Sequence, residues 1–206
     1  TLGPAIAAIT AQGLAVVPRG GGLSYTAGYV LPVGQAVLVD LSRLDRILAI
    51  DPVNMTVTVE AGATWKAIHA ALAVHDLRLP FFGTFSGAGA TVGGGLSHGA
   101  LFFGSARYGS AADILLSMDV VLADGSVLST GQAALRANCH PVFRGFGPDL
   151  GGLFLHDGGA FGIKARATLR VMRRPAHTGC ASFAFSRIDD VVTTLCAIQR
   201  EGLIED

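Results

Sequence analysis

The stretch LAVVPRGGGLS, residues 14–24, places three consecutive glycines directly after a short apolar run. A second cluster, TVGGGLSH at residues 91–98, lies about seventy residues further on and closes a loop that already holds Gly83, Gly87 and Gly89. Because glycine has no Cβ and accepts positive φ, successive glycine N–H groups can approach a ligand and converge on an anion. Two such loops on one chain predict a long, phosphate-bearing cofactor that lies between them.

The composition indicates a globular chain with a sizeable core and no basic surface. Of the 206 residues, 50% are hydrophobic and 15% are charged, and the net charge is zero at pH 7. A neutral chain lacks the basic footprint of nucleic-acid binding proteins, so we predict no nucleic-acid partner. The 28 glycines are about twice the average usage of ~7%. They lie mostly between apolar runs, which indicates tight turns and ligand loops rather than disorder.

Cysteine usage and the start of the sequence bear on the cellular compartment. The three cysteines, Cys139, Cys180 and Cys196, form no CxxC pair and no disulfide framework, which favours a reducing, cytoplasmic location. No apolar run reaches about 18 residues, so we predict no transmembrane helix. The first residues lack the basic region of a signal peptide, and the sequence reads as a chain cut from within a larger protein.

Apolar periodicity and turn residues predict short strands, hairpins and a few helices. Thr64 is a good N-cap for one helix, whose apolar face holds Trp65, Ile68, Ala71 and Leu72. The pattern indicates an α+β fold and not the regular β-α-β alternation of a doubly wound sheet. The predicted strands are 14–18, 36–41, a hairpin of 47–51 with 56–60, a hairpin of 118–122 with 126–128, a late pair within 160–172, and 181–185. The other predicted helices are one that ends at Gly13, one at 189–201 and a short helix or turn at 111–116.

Common motifs of phosphate and metal chemistry are absent from the sequence. The dinucleotide fingerprint GxGxxG fails because Tyr25 and His98 stand where the third glycine would fall. No stretch matches the P-loop GxxxxGK[ST], and the nearest, residues 158–164, lacks both the spacing and the hydroxyl. No HExxH motif or paired His and Cys spacing occurs, so we predict no metal site. We therefore expect neither a Rossmann nicotinamide site nor a nucleotide hydrolase.

Several segments, taken in order, resemble one family of flavoproteins. Residues 18–24 are similar to the pyrophosphate loop of the FAD-binding (PCMH-type) domain of the vanillyl-alcohol oxidase / p-cresol methylhydroxylase superfamily. The resemblance covers roughly residues 12–175. It is closest to the FAD-linked oxidases and dehydrogenases of the glycolate oxidase / D-lactate dehydrogenase / alkyl-dihydroxyacetone-phosphate synthase type. The further matching segments are VTVEAGATW (57–65), TVGG (91–94), RYG (107–109), DVVLADG (119–125), DLGGLF (149–154), GAFGI (159–163) and ATLR (167–170).

This resemblance implies an architecture and a cofactor. Residues 1–175 would form an FAD-binding domain of two α/β subdomains with short mixed sheets, without the family's first strand. Residues 176–206 would begin a C-terminal α+β substrate (cap) domain within which the sequence stops. The covalent-flavin branch has a histidine where Leu23 stands, so the implied cofactor is non-covalent FAD. The sequence departs from the family at residues 98–101 and at Gly158, where the family has Thr-Asn-Ala-Gly and Glu.

The resemblance also assigns cofactor-binding positions. The N–H groups of residues 20–24 can form a nest for the diphosphate, and the Ser24 hydroxyl can add a donor. Gly159, Gly162 and Ile163 would supply backbone contacts to the other side, including the adenine-ribose end. The complete set is Pro18, Arg19, Gly20, Gly21, Gly22, Leu23, Ser24, Thr91, Gly93, Gly94, Ser97, His98, Gly99, Gly159, Gly162 and Ile163.

The implied activity is oxidation of an alcohol, with a 2-hydroxy acid such as D-lactate or glycolate expected, by hydride transfer to flavin N5. The family's substrate domain supplies most of the catalytic groups, so no catalytic residue is assigned within this chain. His98 is the candidate, and the alternative is a loop histidine hydrogen-bonded to backbone. Arg107 and Tyr108 could contact substrate or a cofactor phosphate, or could fix their loop by an ion pair and packing. For His156 a structural role is favoured.

Two other functions compete with this one. The chain could be a non-catalytic FAD-binding subunit that docks on a separate catalytic partner. Whether it acts as an enzyme or as a subunit, it could form a homodimer or bind a partner subunit. A reductase of the cell-wall sugar type shares the FAD fold, but the ATLR ending at 167–170 and the new β-α unit after it favour the hydroxy-acid oxidases. For the 206-residue chain alone we predict high affinity for FAD and low turnover.

Overall fold

The computed structural model describes residues 2–30, 34–84, 87–135, 140–145, 147–202 and 204–205. The helices are α1 (Leu2–Ala11), α2 (Trp65–Ala73), α3 (Val92–His98), α4 (Ser105–Tyr108) and α5 (Ile188–Glu201), with two 3-10 helices at Gly131–Ala134 and Leu150–Phe154. The strands are β1 (Ala15–Arg19), β2 (Ala36–Asp40), β3 (Ile47–Asp51), β4 (Thr56–Glu60), β5 (Leu77–Arg78), β6 (Leu115–Val121), β7 (Val127–Ser129), β8 (Ile163–Arg170) and β9 (Met172–Arg173). The predicted α+β class is confirmed.

A five-stranded antiparallel sheet in the order β3-β4-β8-β6-β7 forms the centre of the fold. The two predicted hairpins are its outer strand pairs, β3-β4 and β6-β7. Strand β8 lies in the middle, where Ala167 and Leu169 are buried with Val57 and Val59 of β4. The late pair of strands is also confirmed, although β9 leaves this sheet and pairs with β5.

Strands β1 and β2 form a separate two-stranded parallel sheet. The sequence predicted a buried strand at 14–18, but no residue of β1 is fully buried. The reason is that strand side chains point to the two faces of the sheet, and in this two-stranded sheet both strands are only partly covered. The β1-β2 sheet is parallel and the other two sheets are antiparallel, so none of the described sheets contains both strand directions. A small second core of Ile6, Leu41, Val121 and Ile163 lies beside this pair.

Helix α2 is built as the sequence predicts. The Thr64 side chain accepts a hydrogen bond from the Ala67 N–H at 3.2 Å and caps the first turn. Trp65, Ile68 and Leu72 recur at helical spacing and are fully buried. The Trp65 ring meets the Phe81 ring edge-on at a centroid distance of 5.0 Å, which anchors the helix in the main core.

The second glycine cluster is a helix and not the loop that the sequence predicted. Helix α3 spans Val92–His98 with Thr91 as its N-cap, and it ends at Gly99, which has a φ of 59°. Glycine is a poor helix former, so local propensity argued for a loop. The Thr91 cap and the left-handed Gly99 define the two ends of the helix. The glycines within it are required by packing, because a Cβ at Gly93 would lie 2.9 Å from the Ala61 Cβ and one at Gly95 would lie 2.8 Å from the Trp65 ring.

The C-terminal segment matches the prediction in part. Helix α5 is present, but none of its residues is buried. The predicted strand at 181–185 is wrong, since these residues form no strand and no described segment pairs with them. A run of β-type residues needs a neighbouring strand to satisfy its backbone groups. Residues 111–114 form a turn before β6 starts, in agreement with the second of the two predicted alternatives.

Candidate functional site

A cavity of about 330 Å³ opens between three segments that are far apart in sequence, and we call it the central cavity. One side is the loop that follows β1, residues 18–29. The second is α3 with its flanks, within residues 90–101. The third is the segment 158–164 that leads into β8. The remaining lining residues are Leu41, Ala61, Trp65 and Thr84.

All of the cofactor-binding residues that the sequence analysis named line this cavity. The fold therefore brings together positions that were assigned from three separate stretches of sequence. The individual contacts of each residue with a cofactor stay predictions. Lining residues that the sequence analysis did not assign to the cofactor are Tyr25, Thr26, Gly28, Tyr29, Leu41, Ala61, Trp65, Thr84, Ala90, Gly95, Ala100, Leu101, Gly158 and Lys164.

The first side of the cavity is a tight main-chain turn held at its base by an ion pair. The Arg19 guanidinium donates to Asp40 Oδ2 at 2.7 Å, across the paired ends of β1 and β2. Gly22 has a φ of 69°, and a Cβ there would lie 2.8 Å from the Arg19 Nη2. The Ser24 hydroxyl lies 2.8 Å from the Thr26 hydroxyl and accepts from the Thr26 N–H at 3.2 Å. It therefore stabilises the turn itself, in addition to any ligand contact.

The first and second sides touch through glycines. A Cβ at Gly20 would overlap Thr91 Oγ1, and a Cβ at Gly21 would overlap the carbonyl oxygen of Gly89. Both glycines are thus needed for the close approach of two chain segments. Thr91 Oγ1 also accepts from the Gly94 N–H at 3.4 Å and caps α3. The contact fixes the distance between the two glycine clusters.

Two histidines lie at or beside the end of α3, and only one of them, His98, lines the cavity. His98 is the last residue of α3, is exposed and lines the cavity. His156 does not line it, and its backbone N–H donates to the Leu96 carbonyl at 3.1 Å. A Cβ at Gly99 would overlap the His156 ring. His156 thus packs against the end of α3, in agreement with a structural role.

The third side carries a buried ion pair. Lys164 Nζ donates to Asp157 Oδ1 at 2.7 Å, and the two side chains are 2% and 1% exposed. Burial lowers the pKa of Lys164, against the opposing effect of its hydrogen bond to Asp157. The sequence analysis missed this lysine as a site residue. The signal was present as a charged residue between apolar ones at the start of a central strand, where an unpaired charge would be costly.

Arg107 and Tyr108 do not line the central cavity. The Tyr108 hydroxyl donates to Glu205 Oε1 at 3.0 Å, and the guanidinium of Arg107 lies 5.3 Å from the centre of the Tyr108 ring. Arg78 donates to the same Glu205 carboxylate from Nη1 at 2.8 Å. These contacts favour the packing alternative for Arg107 and Tyr108 over direct contact with a ligand in the cavity.

No group of three or more His, Cys, Asp or Glu side chains that could hold a metal ion occurs among the described residues. No helix in the described part of the chain is long and apolar enough to cross a membrane. Cys180 and Cys196 are exposed free thiols, and Cys139 lies outside the described residues.

Comparison with protein families identifies the class of protein. The family model described as "FAD binding domain" matches residues 2–131, more than half of the chain. The match includes the first two sides of the central cavity and the β3-β4 and β6-β7 hairpins. The chain belongs to this family of FAD-binding domains, and FAD is its cofactor.

Curated relatives and solved structures agree with this assignment. The chain is 29% identical over 191 residues to D-lactate dehydrogenase [cytochrome] 1, mitochondrial, of Saccharomyces cerevisiae, covering 91% of this chain and 31% of that protein. It is 29% identical over 196 residues to D-2-hydroxyglutarate dehydrogenase of Xanthomonas citri pv. viticola, covering 95% of this chain and 39% of that protein. A solved alkyldihydroxyacetonephosphate synthase has the same fold with a TM-score of 0.69 at 21% identity, over 85% of this chain and 33% of that chain. The chain thus spans about a third of the length of these relatives.

The chemistry of the cavity fits a flavin dinucleotide. The glycines that line it have no side chains to shield their backbone N–H groups, so these groups can donate to a diphosphate. Arg19 and Lys164 are the lining residues that carry a full positive charge. Exposed apolar side chains of the lining, such as Leu23 and Leu101, offer surface for flat rings. A ligand with both an anionic centre and large aromatic groups meets all three features.

Proposed function

We propose that this chain is the FAD-binding module of a flavin-dependent oxidoreductase that oxidises the alcohol carbon of a 2-hydroxy acid. The observation that carries the proposal is the convergence of three distant glycine-rich segments on one cavity. The names of the relatives support the substrate class, because D-lactate and D-2-hydroxyglutarate are both D-2-hydroxy acids. Glycolate is also a 2-hydroxy acid and is a candidate substrate as well.

We propose a role for each side of the cavity. The N–H groups of residues 20–24 hold the diphosphate, and the backbone of Gly159, Gly162 and Ile163 holds the adenosine half. Ser97, His98 and Gly99 line the ribityl chain and the flavin ring. Leu23 cannot form a covalent bond to a flavin, so the cofactor is held without one at this loop.

The bound flavin supplies a hydride acceptor at its N5 atom. The protein has to provide a base for the substrate hydroxyl proton and a cation for the substrate carboxylate. We propose that these groups come mainly from polypeptide outside these 206 residues. Within the chain His98 is the candidate, because it is the histidine that lines the cavity.

The test is the visible absorption spectrum of the purified protein, followed by acid release and chromatography of the cofactor. We expect a flavin spectrum, with free FAD in the supernatant after precipitation. A yellow pellet would contradict non-covalent binding. A colourless protein that binds no added FAD would contradict the proposal as a whole.

The surface of α5 fits the enzyme and also a second function, that of a non-catalytic FAD-binding subunit. Its apolar residues Ile188, Val192 and Leu195 are exposed by 73%, 55% and 60%, as expected of a face that another domain, a second copy or a partner subunit covers. The downstream reading frame separates the two functions. A following domain with His and Arg residues supports the enzyme, and a stop codon supports the subunit.

Turnover and location complete the proposal. We expect the 206-residue chain alone to bind FAD tightly but to oxidise D-lactate and glycolate poorly. A steady-state assay with an artificial electron acceptor measures the rate of oxidation. Robust turnover by the chain alone would contradict this division of labour. The cytoplasmic location stays a prediction, which the free thiols of Cys180 and Cys196 support.

A further inference from the structure

Lys164 combines two properties that rarely occur together. Its side chain is 2% exposed to solvent, yet it lines the central cavity. Long charged side chains are almost never this deeply buried unless they are paired. The pairing partner is Asp157, whose side chain is 1% exposed and whose Oδ1 lies 2.7 Å from Nζ.

The Asp157 carboxylate is fully engaged. Its Oδ1 accepts from the Gly159 N–H at 2.8 Å as well as from Lys164, and its Oδ2 accepts from the Phe161 N–H at 3.3 Å. The Lys164 ammonium has three N–H donors. Among the described residues, Asp157 is the one recorded acceptor for them. Two of its donors therefore have no protein acceptor among the described residues.

The ion pair lies beside a turn that is fastened to both other sides of the cavity. The Gly158 N–H donates to the Ser97 carbonyl at 2.9 Å, which ties the turn to α3. A Cβ at Gly159 would lie 2.6 Å from Pro18 Cγ, so the turn also contacts the base of the first glycine loop. The ammonium is thus held in position by a rigid surrounding and not by a flexible side chain alone.

We propose that Lys164 is a cofactor-binding residue that donates hydrogen bonds to the diphosphate of the bound FAD, with Asp157 as its positioning residue. The inference rests on the proposed function, since it requires FAD in the central cavity. A diphosphate carries two negative charges, and a buried ammonium with free donors is a strong partner for such a group. The other lining cation, Arg19, has a 38% exposed side chain and is already paired with Asp40.

The chain offers a simple design for the test, because Lys66 and Lys164 are its two lysines. Removing Lys164 alone would leave Asp157 buried without a partner, which destabilises a fold. D157N alone would likewise leave the Lys164 ammonium buried without its partner, so the comparison is between the wild type and D157N/K164M, which removes both charges together. K66M, which changes an exposed lysine on α2, is the matched control.

The measurement is the Kd for FAD and for riboflavin, which lacks the diphosphate, by quenching of flavin fluorescence. We expect D157N/K164M to bind FAD about tenfold to a hundredfold more weakly than the wild type, the range for a charge-assisted hydrogen bond. Riboflavin should bind the wild type and D157N/K164M equally, and K66M should bind FAD as the wild type does. Equal FAD affinity in the wild type and D157N/K164M would overturn the proposal, and an equal loss for FAD and riboflavin would show that Lys164 only shapes the fold.

A second measurement uses the wild-type protein and needs no variant to fold. With the two lysines labelled with ¹⁵N, we expect FAD to shift the side-chain signal of Lys164 and to leave that of Lys66 in place, while riboflavin shifts neither. No shift of the Lys164 signal in the FAD complex would overturn the inference. Failure of the wild type to bind FAD at all is a different result, which contradicts the proposed function.

Discussion

Gly21 illustrates how side-chain size at one residue controls the central cavity. A Cβ at this position would overlap the Gly89 carbonyl oxygen, and the φ of Gly21 is not positive. The glycine is therefore required by space and not by backbone conformation. Its neighbour Gly20 meets Thr91 in the same way. Together they allow two segments about seventy residues apart to form one binding surface.

We expect Gly21→Ala to destabilise the fold and to weaken FAD binding. The added methyl group meets backbone and not a flexible side chain, so one segment has to move, at a cost of about 1–3 kcal/mol. We predict at least a tenfold increase in the Kd for FAD, measured by fluorescence quenching. Gly179→Ala is the control, because nothing lies within 4 Å of its Cβ position. Equal FAD affinity in the two variants would contradict the prediction.

Glu60, at the end of β4, should make stability depend on pH. Hydrogen bonds from the Arg46 side chain, at 2.7 and 3.1 Å, hold the pKa of Glu60 below its ordinary value despite burial. A lowered folded-state pKa adds stability above the unfolded pKa of about 4.3, and this is lost as pH falls through the folded pKa. We expect Glu60→Gln to be less stable than the wild type at pH 7, with the difference shrinking below pH ~4.

Urea unfolding at the two pH values measures this difference. Glu201→Gln, on the exposed face of α5, is the control and should match the wild type at both. A Glu60→Gln deficit that does not change with pH would mean that packing, and not the charge, is responsible.

The residue scale also shows what the sequence could and could not predict. The glycine positions of the cavity were predictable, because several segments in order, and not one glycine cluster alone, resemble one family of flavoproteins. For Lys164 the sequence marks a charged residue within an apolar strand, but its partner was not predictable, since Asp157 faces it only across a folded turn. Seven residues separate the two in sequence, and only the folded turn places their charges at 2.7 Å.

At the scale of elements, α3 is the main departure from the sequence-based expectation. Its composition favours a loop, yet it is a capped helix, and its glycines are required because Ala61 and Trp65 leave no room for larger side chains. Helix α2 was predictable because its cap and apolar periodicity agree. The strand predicted at 181–185 failed for the converse reason, since a strand needs a neighbour that a local pattern cannot supply.

Thr91 should be required for α3 through its hydroxyl. It caps the helix by accepting from the Gly94 N–H, and caps of this kind are worth about 1 kcal/mol. We expect Thr91→Val, which keeps the shape, to lower the free energy of unfolding by about that amount and to weaken FAD binding. Thr91→Ser keeps the acceptor and should retain both properties. Chemical denaturation checks the prediction, and equal losses in the two variants would contradict it.

At the scale of the whole molecule, FAD should stabilise the fold by joining its distant segments. A ligand at 100 times its Kd adds about 2.7 kcal/mol to the free energy of unfolding. For a chain of this size that corresponds to a rise in Tm of about 5–10 °C. We expect riboflavin at the same concentration to give a smaller rise, because it cannot reach the nest at residues 20–24. Equal thermal shifts for the two ligands would contradict a role for the diphosphate.

The class of fold was predictable from the sequence, whereas the order of strands was not. The two hairpins are local and are marked by turn residues such as Asp124 and Gly125. The pairing that joins them is not local, since Thr56 of β4 lies opposite Arg170 of β8. No periodicity in the sequence specifies that β8 lies between the two hairpins. The family resemblance supplied what local patterns could not.

The central position of β8 has a consequence for how the protein is made. This strand holds the two hairpins together, and the segment before it completes the third side of the cavity, yet both are synthesised after the rest of the sheet. Contacts across such long stretches of sequence form slowly. On the ribosome, the first glycine loop and α3 emerge well before residue 164, so the flavin has no complete site to enter until then. Capture of the cofactor therefore follows the synthesis of β8, and the supply of FAD acts on a domain whose other sheet strands have already emerged.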